Sequence, residues 1–157
     1  MIGIHQSQFL AWVPYYYKIL KSDIFIVLDD VQYQKNGVQN RNQMKTPNGA
    51  LWLTLPIIND FGQNINETKL ADFKKNKNKV LKTIEMSYSK SKYYNEIMPT
   101  LTNIFESESL NLHQINNEIL LYFLKLLKID TEIRYSSEFN TVGKKDDLVL
   151  ELINLTS

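Results

Sequence analysis

Cysteine is absent from the 157 residues, which excludes disulfides, thiolate zinc sites and a cysteine nucleophile. Only two histidines are present, which argues against a histidine-rich metal centre. An excess of either charge is lacking too. Eighteen Lys and Arg against seventeen Asp and Glu leave a formal net charge of +1, too weak a field to indicate nucleic acid or an anionic membrane as partner. No apolar run approaches the roughly 20 residues that cross a bilayer, so no membrane insertion is expected. The first residues, MIGIHQSQF, lack the basic start and apolar stretch of a secretory signal, and a cytoplasmic location is expected.

What is present is enough apolar material, 43% of the residues, for one domain spanning 1–157 with a proper core. No repeat, linker or low-complexity segment interrupts it. Met1–His5 reads as a short buried strand. Phe9, Trp12, Val13, Tyr16, Ile19 and Leu20 recur at helical spacing and predict a helix over Phe9–Ser22. Pro14 either disturbs its first turn or opens the regular helix as its first residue. Ile24–Leu28 is a continuous apolar strand. Strand, helix and strand in under about 30 residues form a βαβ unit with parallel strands and a right-handed crossover.

Beyond Asp30 the pattern turns to hairpins. Asn36-Gly37 and Asn48-Gly49 are turn signals, and Asn40–Thr46 is expected to pair with Leu51–Ile58 across Pro47-Asn48-Gly49. Asn59–Asn66 reads as a loop. Three apolar stripes then predict helices: Val80, Leu81, Ile84 and Tyr88; Tyr94, Ile97, Met98, Leu101, Ile104 and Phe105; and Leu112, Ile115, Ile119, Tyr122, Phe123, Leu126 and Leu127, capped by Asn111. Thr131–Ser136 resembles a strand. A polar loop, Asn140–Lys145, precedes a last helix that starts at Asp146 or Asp147. The fold class is α/β: an N-terminal βαβ unit with parallel strands, a β-hairpin insertion and three or four amphipathic helices.

Function is sought first in Leu28–Lys45, LDDVQYQKNGVQNRNQMK. Asp29 and Asp30 stand where the second strand runs out, as His5 and Gln6 do for the first. In a parallel pair these carboxyl ends form the crevice where open α/β proteins bind ligands. His5 either caps a strand end or protonates a ligand near working pH. Asp29 and Asp30 point in different directions, so one faces the ligand and the other caps a turn; Mg²⁺ is compatible with one such carboxylate and phosphate oxygens. Lys35, Arg41 and Lys45 are anion-binding candidates. Arg41 leads them because Gln39, Asn40 and Asn42 surround it and a guanidinium grips phosphate or carboxylate in a two-pronged way. Gln32 and Tyr33 add polar reach. Each of these also suits a solvated hairpin face. Gly143-Lys144-Lys145 before a helix offers backbone N–H groups and charge to an anion; it is not a Walker A loop. The lysine-rich run 74–79 reads as a solvated helix face.

These residues, taken in order, resemble the WbqC-like family of bacterial proteins, found among genes for O-antigen and other surface polysaccharides. His5-Gln6, Trp12, Tyr15 and Lys18-Ile19 are similar to a first motif, roughly HQPxxxPWxGYxxKI, from which Ser7, Ala11 and Pro14 depart. Asp23 with Leu28–Tyr33 resembles a second motif. Gln39–Asn42 with Lys45-Thr46 resembles a third, Trp52–Pro56 a fourth, and Gly143–Lys145 with Asp147-Leu148 a later GKKTxxL. The resemblance implies an N-acyltransferase or aminoacyltransferase acting on the amine of a nucleotide-linked amino sugar in lipopolysaccharide synthesis. His5, Asp29 or Asp30 would then take the amine proton. Arg41, Lys45 and Lys144 would hold phosphates of a sugar nucleotide or acyl donor, with Lys145 beside them, and Gln6 and the amides would read hydroxyls.

Two other classes stay open. One is an ATP-dependent ligase with nucleotide and Mg²⁺ as cofactors, and the other a non-catalytic module that would show a large exposed apolar patch. His5, Asp29 or Asp30, Gln32, Arg41 and Lys144 are expected to converge on one cleft. The resemblance also implies that the family's domain continues past the last helix. The sheet edge there would be open to a second copy as a homodimer, and the chain alone would be weakly active.

Overall fold

The computed structural model describes residues 1–58, 62–107 and 111–156. The βαβ opening is present. Strand β1 (Ile2–Gln6), helix α1 (Val13–Leu20) and strand β2 (Ile24–Leu28) follow one another, and β1 and β2 pair in parallel, Ile2 opposite Ile24 through Gln6 opposite Leu28. A third strand, β5 (Glu132–Tyr135), pairs in parallel with the other edge of β2. The sheet order is β1-β2-β5.

Both faces of this small sheet are covered, which explains why β2 reads IFIVL with no polar alternation. Phe25 and Val27 pack with Tyr15, Tyr16 and Ile19 of α1 and with Leu120 and Leu124 of α4 (Leu112–Leu127). Ile26, with Ile24 and Leu28, packs against Leu148 and Leu152 of α5 (Asp146–Thr156) on the other face. Gly3 is required by close approach: a Cβ there would lie 2.3 Å from Ser22 Oγ and 2.6 Å from Phe25 Cδ2.

The hairpin joins β3 (Arg41–Thr46) to β4 (Gly49–Thr54), with Arg41 opposite Thr54 and Thr46 opposite Gly49. It packs with α2 (Phe73–Tyr88), α3 (Tyr94–Glu106) and α4 in the largest core, built on residues such as Leu53, Leu55, Val80, Ile84, Phe105, Ile115 and Ile119. Helix α4 serves two cores. Leu112, Ile115 and Ile119 face the hairpin and the helices, whereas Leu120 and Leu124 face the sheet.

Several boundaries differ from expectation. Of the two readings of Phe9–Ser22, the one in which the regular helix opens near Pro14 holds: it starts at Val13, with Pro14 in its first turn. Phe9 is instead fully buried in the hairpin core, and Leu10 adopts a left-handed φ of 44°. The strand expected over Leu51–Ile58 stops at Thr54, because Pro56 has no N–H to donate and Ile57 turns to bridge Leu70. Asn36-Gly37 makes a local turn, with the Gly37 N–H on Gln34 O, and no hairpin forms there. On α4 the expected stripe included Leu127, which is 52% exposed, and omitted Asn116, Leu120 and Leu124, which are buried. Of the expected loop Asn59–Asn66, residues 59–61 lie outside the described residues; Ile65–Glu67 forms a 3-10 turn. Among the described residues no helix is long and apolar enough to cross a membrane.

Asn111 caps α4 as its sequence position implied, its Oδ1 accepting the N–H groups of His113 and Gln114 at 2.8 and 3.4 Å. Its Nδ2 also donates to Asn66 O. Replacement by Ala removes the cap and frees that carbonyl, so Asn111→Ala is expected to cost about 1–2 kcal/mol of unfolding free energy in urea titrations.

Candidate functional site

Cross-strand registry decides what faces what at the carboxyl edge of the sheet. His5, Val27 and Tyr135 form one row, and neighbours in a row share a face. That face is the one covered by α1 and α4. His5 meets the edge of Tyr15, ring centroids 5.2 Å apart. Its Nδ1 lies 3.2 Å from Gln6 O and 3.4 Å from Gln8 Nε2, donating to the carbonyl when it carries the proton and accepting from the amide when it does not. Burial lowers the His5 pKa; the bond to the Gln6 carbonyl opposes this, and the charge of Lys18 adds to it.

Asp29 is buried at the end of β2. Its Oδ1 accepts the Ser137 N–H at 3.0 Å and its Oδ2 the Ser137 hydroxyl at 2.7 Å. The Ser136 hydroxyl reaches both Asp29 Oδ1, at 3.1 Å, and Asp30 Oδ1. The Asp29 N–H returns a bond to Ser136 Oγ. This carboxylate therefore fixes the 3-10 turn Ser136–Glu138 that follows β5. It also faces His113, whose Nε2 is 3.8 Å from Asp29 Oδ2. That distance is too long for a hydrogen bond but short for a charge pair in a partly dry site. Burial lowers the His113 pKa, and the Asp29 charge offsets part of the fall. The ring stands edge-on to Tyr135 at 5.4 Å, and the Tyr135 hydroxyl donates to Asn117 Oδ1.

Between these groups lies a cavity of about 10 Å³ lined by Ser7, Gln8, Tyr15, His113, Asn116 and Asn117, among others. Gln8 Oε1, His113 Nδ1 and Asn116 Oδ1 are buried without hydrogen-bond partners among the described residues, and all three residues line this cavity. The volume suits one water-sized group. Two amide oxygens and a neutral imidazole nitrogen accept hydrogen bonds, so the group that satisfies them is one rich in N–H or O–H.

The other sequence-derived candidates are placed as follows. Gln6 Oε1 accepts from Gln39 Nε2 at 2.9 Å, which ties the amide-rich segment to the end of β1. Gln39 is buried, and its Oε1 accepts the Gln34 N–H. Asn40 is buried between the Tyr33 hydroxyl and Leu55 O. Asn42 donates to Leu10 O at 2.7 Å. These amides are used within the protein. Gln32 and Lys35 are exposed.

Arg41 stacks on Trp52, 4.4 Å from the ring, and Nη2 donates to Asn36 O at 2.6 Å, while its buried Nε has no acceptor. Lys45 is exposed along the hairpin, its backbone N–H on the Tyr88 hydroxyl. Lys144 and Lys145 are exposed before α5, where the Val142 and Gly143 N–H groups are taken by Glu151 Oε2 at 3.0 and 3.1 Å. The structure thus gathers His5, Gln6, Gln39, Asp29 and Asp30 at one edge; Arg41, Lys45 and Lys144 stand on other elements. Among the described residues no group of three or more His, Asp or Glu could hold a metal ion.

His113, Asn116, Asn117, Tyr135, Ser136 and Ser137 complete the site and were not singled out from sequence. One signal was available: His113 is the second of two histidines and sits in the first turn of a helix whose cap was identified. The serines follow the strand read at Thr131–Ser136, and a third parallel strand brings its own carboxyl end to the same edge.

The chain matches the model described as "WbqC-like protein family" over residues 6–157. It is 31% identical over 156 residues to the uncharacterized protein Rv1507c of Mycobacterium tuberculosis, covering 96% of this chain and 66% of that protein. The chain therefore spans about two thirds of that relative's length. No solved structure matches it.

Asn116 Nδ2 donates to Gln39 O at 2.8 Å and to Ser7 Oγ at 3.1 Å. Asn116→Leu keeps the branched outline, adds bulk and takes the donor from the buried Gln39 carbonyl, so a loss of about 1–3 kcal/mol in denaturant unfolding is expected.

Proposed function

The chain belongs to the WbqC-like protein family, and we propose that it transfers an acyl or aminoacyl group to the amine of a nucleotide-linked amino sugar in bacterial surface polysaccharide synthesis. The observation that carries this reading is the small cavity where His113 Nδ1, Gln8 Oε1 and Asn116 Oδ1 are left unpaired. A primary amine is water-sized at its head and supplies the N–H groups this set lacks. His113, kept neutral by burial, takes a proton at Nδ1 as the amine nitrogen bonds to the acyl carbon. The bond from that carbon to the donor's leaving group then breaks, and the leaving group receives the proton. Asp29, held by Ser136 and Ser137, steadies the imidazolium formed in between. Arg41 offers its buried, unpaired Nε–H and its remaining N–H groups to a phosphate of the sugar nucleotide.

Turnover is measured by mass spectrometry on a panel of nucleotide-linked amino sugars with acyl and aminoacyl donors. kcat/KM is expected to fall on acidification with an apparent pKa below the ordinary histidine value of 6.5. Asp29→Asn removes the charge that favours the imidazolium, so the apparent pKa moves further down and the rate drops on the order of 10²-fold or more. An unchanged rate and profile in His113→Ala sinks the assignment.

Arg41→Lys keeps the charge and loses the fork and the stack on Trp52. A clear rise in KM for the sugar nucleotide is expected, with the fold intact by circular dichroism.

A further inference from the structure

A concavity far larger than the one at the polar edge lies elsewhere. A cavity of about 600 Å³ opens between the start of α1, the hairpin, the turn joining α2 to α3, and α4, within the range of small-molecule sites. Its walls are aliphatic, thioether and aromatic: Leu10, Met44, Ile97, Met98, Leu101 and Phe123 among them. Asn42 and Gln43 add amides from the hairpin, and a second polar group sits elsewhere on the wall. Tyr88, Ser91 and Lys92 lie within one turn of chain at the α2–α3 junction. The Tyr88 hydroxyl accepts the Lys45 N–H and keeps its own proton to donate. Lys92 is the one charged side chain on the described wall, and no Asp or Glu lines it. A largely apolar chamber whose single cation stands beside two hydroxyls on one segment of its wall is complementary to a molecule with a long apolar chain and an anionic head.

We propose that this cavity binds a single long-chain acyl molecule with an anionic head group, the chain lying against Met44, Met98 and Phe123 and the head at Tyr88, Ser91 and Lys92. A flat protein partner would ask for an exposed apolar face with charge around it; here the apolar residues form a chamber and the charge sits on one side. Methionine suits such walls because its unbranched side chain adapts to a flexible chain. Ala11 and Tyr16 line both this cavity and the small polar one, so the two sites share a wall. The binding itself does not depend on the transfer reaction proposed above, and its failure would leave the role of His113 standing.

The four methionines, Met1, Met44, Met86 and Met98, make the test independent of mutation. Met44 and Met98 line the cavity, whereas Met1 and Met86 are 77% and 75% exposed elsewhere. With the 157-residue chain labelled at methionine methyls with ¹³C, hexadecanoate below its micelle concentration is expected to shift the Met44 and Met98 signals saturably and leave Met1 and Met86 in place. Displacement of the fluorescent fatty acid cis-parinaric acid should tighten roughly fourfold per added methylene from octanoate to dodecanoate. Lys92→Glu, a surface change, should weaken hexadecanoate about threefold to fivefold and leave hexadecanol unchanged. No saturable shift at Met44 and Met98, or equal shifts at all four methionines, overturns the site. Hexadecanoate binding as tightly to Lys92→Glu as to the parent overturns the head-group assignment.

Discussion

Asn116 is the joint on which the two halves of the molecule meet. It is 1% exposed, on a helix whose flanking residues bury themselves in two separate apolar clusters. An amide in such a place costs several kcal/mol if left unpaired, so its partners are constrained as tightly as any core side chain. Its Nδ2 takes Ser7 just after β1 and Gln39 just before β3. The parallel sheet, the hairpin and α4 are thereby fixed relative to one another by one side chain. The same residue lines the small cavity, and its Oδ1 is buried with no partner among the described residues. One side chain thus ties three elements of the fold together while its own acceptor stays unused.

The segment between β2 and β3 shows why an amide-rich stretch is ambiguous in sequence. Twelve residues, from Asp29 to Asn40, lie outside any named strand or helix, yet Asp29, Gln39 and Asn40 are buried. Backbone buried without secondary structure must find partners among side chains. Gln39 serves Gln34 and Gln6, and Asn40 serves Leu55 and Tyr33. A density of amides looks like recognition chemistry, and here much of it is the internal bonding of an irregular chain. Arg41 is different: its stack on Trp52 and its unpaired Nε are not what internal bonding alone produces.

Local pattern carried the elements well. The continuous apolar run of β2, the stripes of α2 and α3 and the Asn111 cap all formed where their periodicity and end signals placed them. What failed depended on tertiary partners. Phe9 fits a helical period with Trp12 and Tyr16, but the hairpin core took it and the chain turned at Leu10 instead. Leu120 and Leu124 fall off a single stripe because α4 has two buried faces, which one amphipathic period cannot express. At the site, His5 and Asp29 were legible because strand ends are legible. His113 and Ser136 come from more than 80 residues away; the packing of α4 on the sheet brings in the first, and the pairing of β5 beside β2 the second.

Two cavities of opposite character with a common wall set a constraint on any chemistry here. Tyr16 is nine-tenths buried, and burial pushes its pKa well up, so at neutral pH its ring separates an apolar chamber from a polar one without carrying charge. Ala11, small and just before α1, also lines both cavities, so it belongs to the wall that they share. Proline at position 11 would remove a backbone N–H and fix φ near −65° beside Leu10, whose φ is left-handed, so the shared wall follows a backbone path that alanine admits without that restraint.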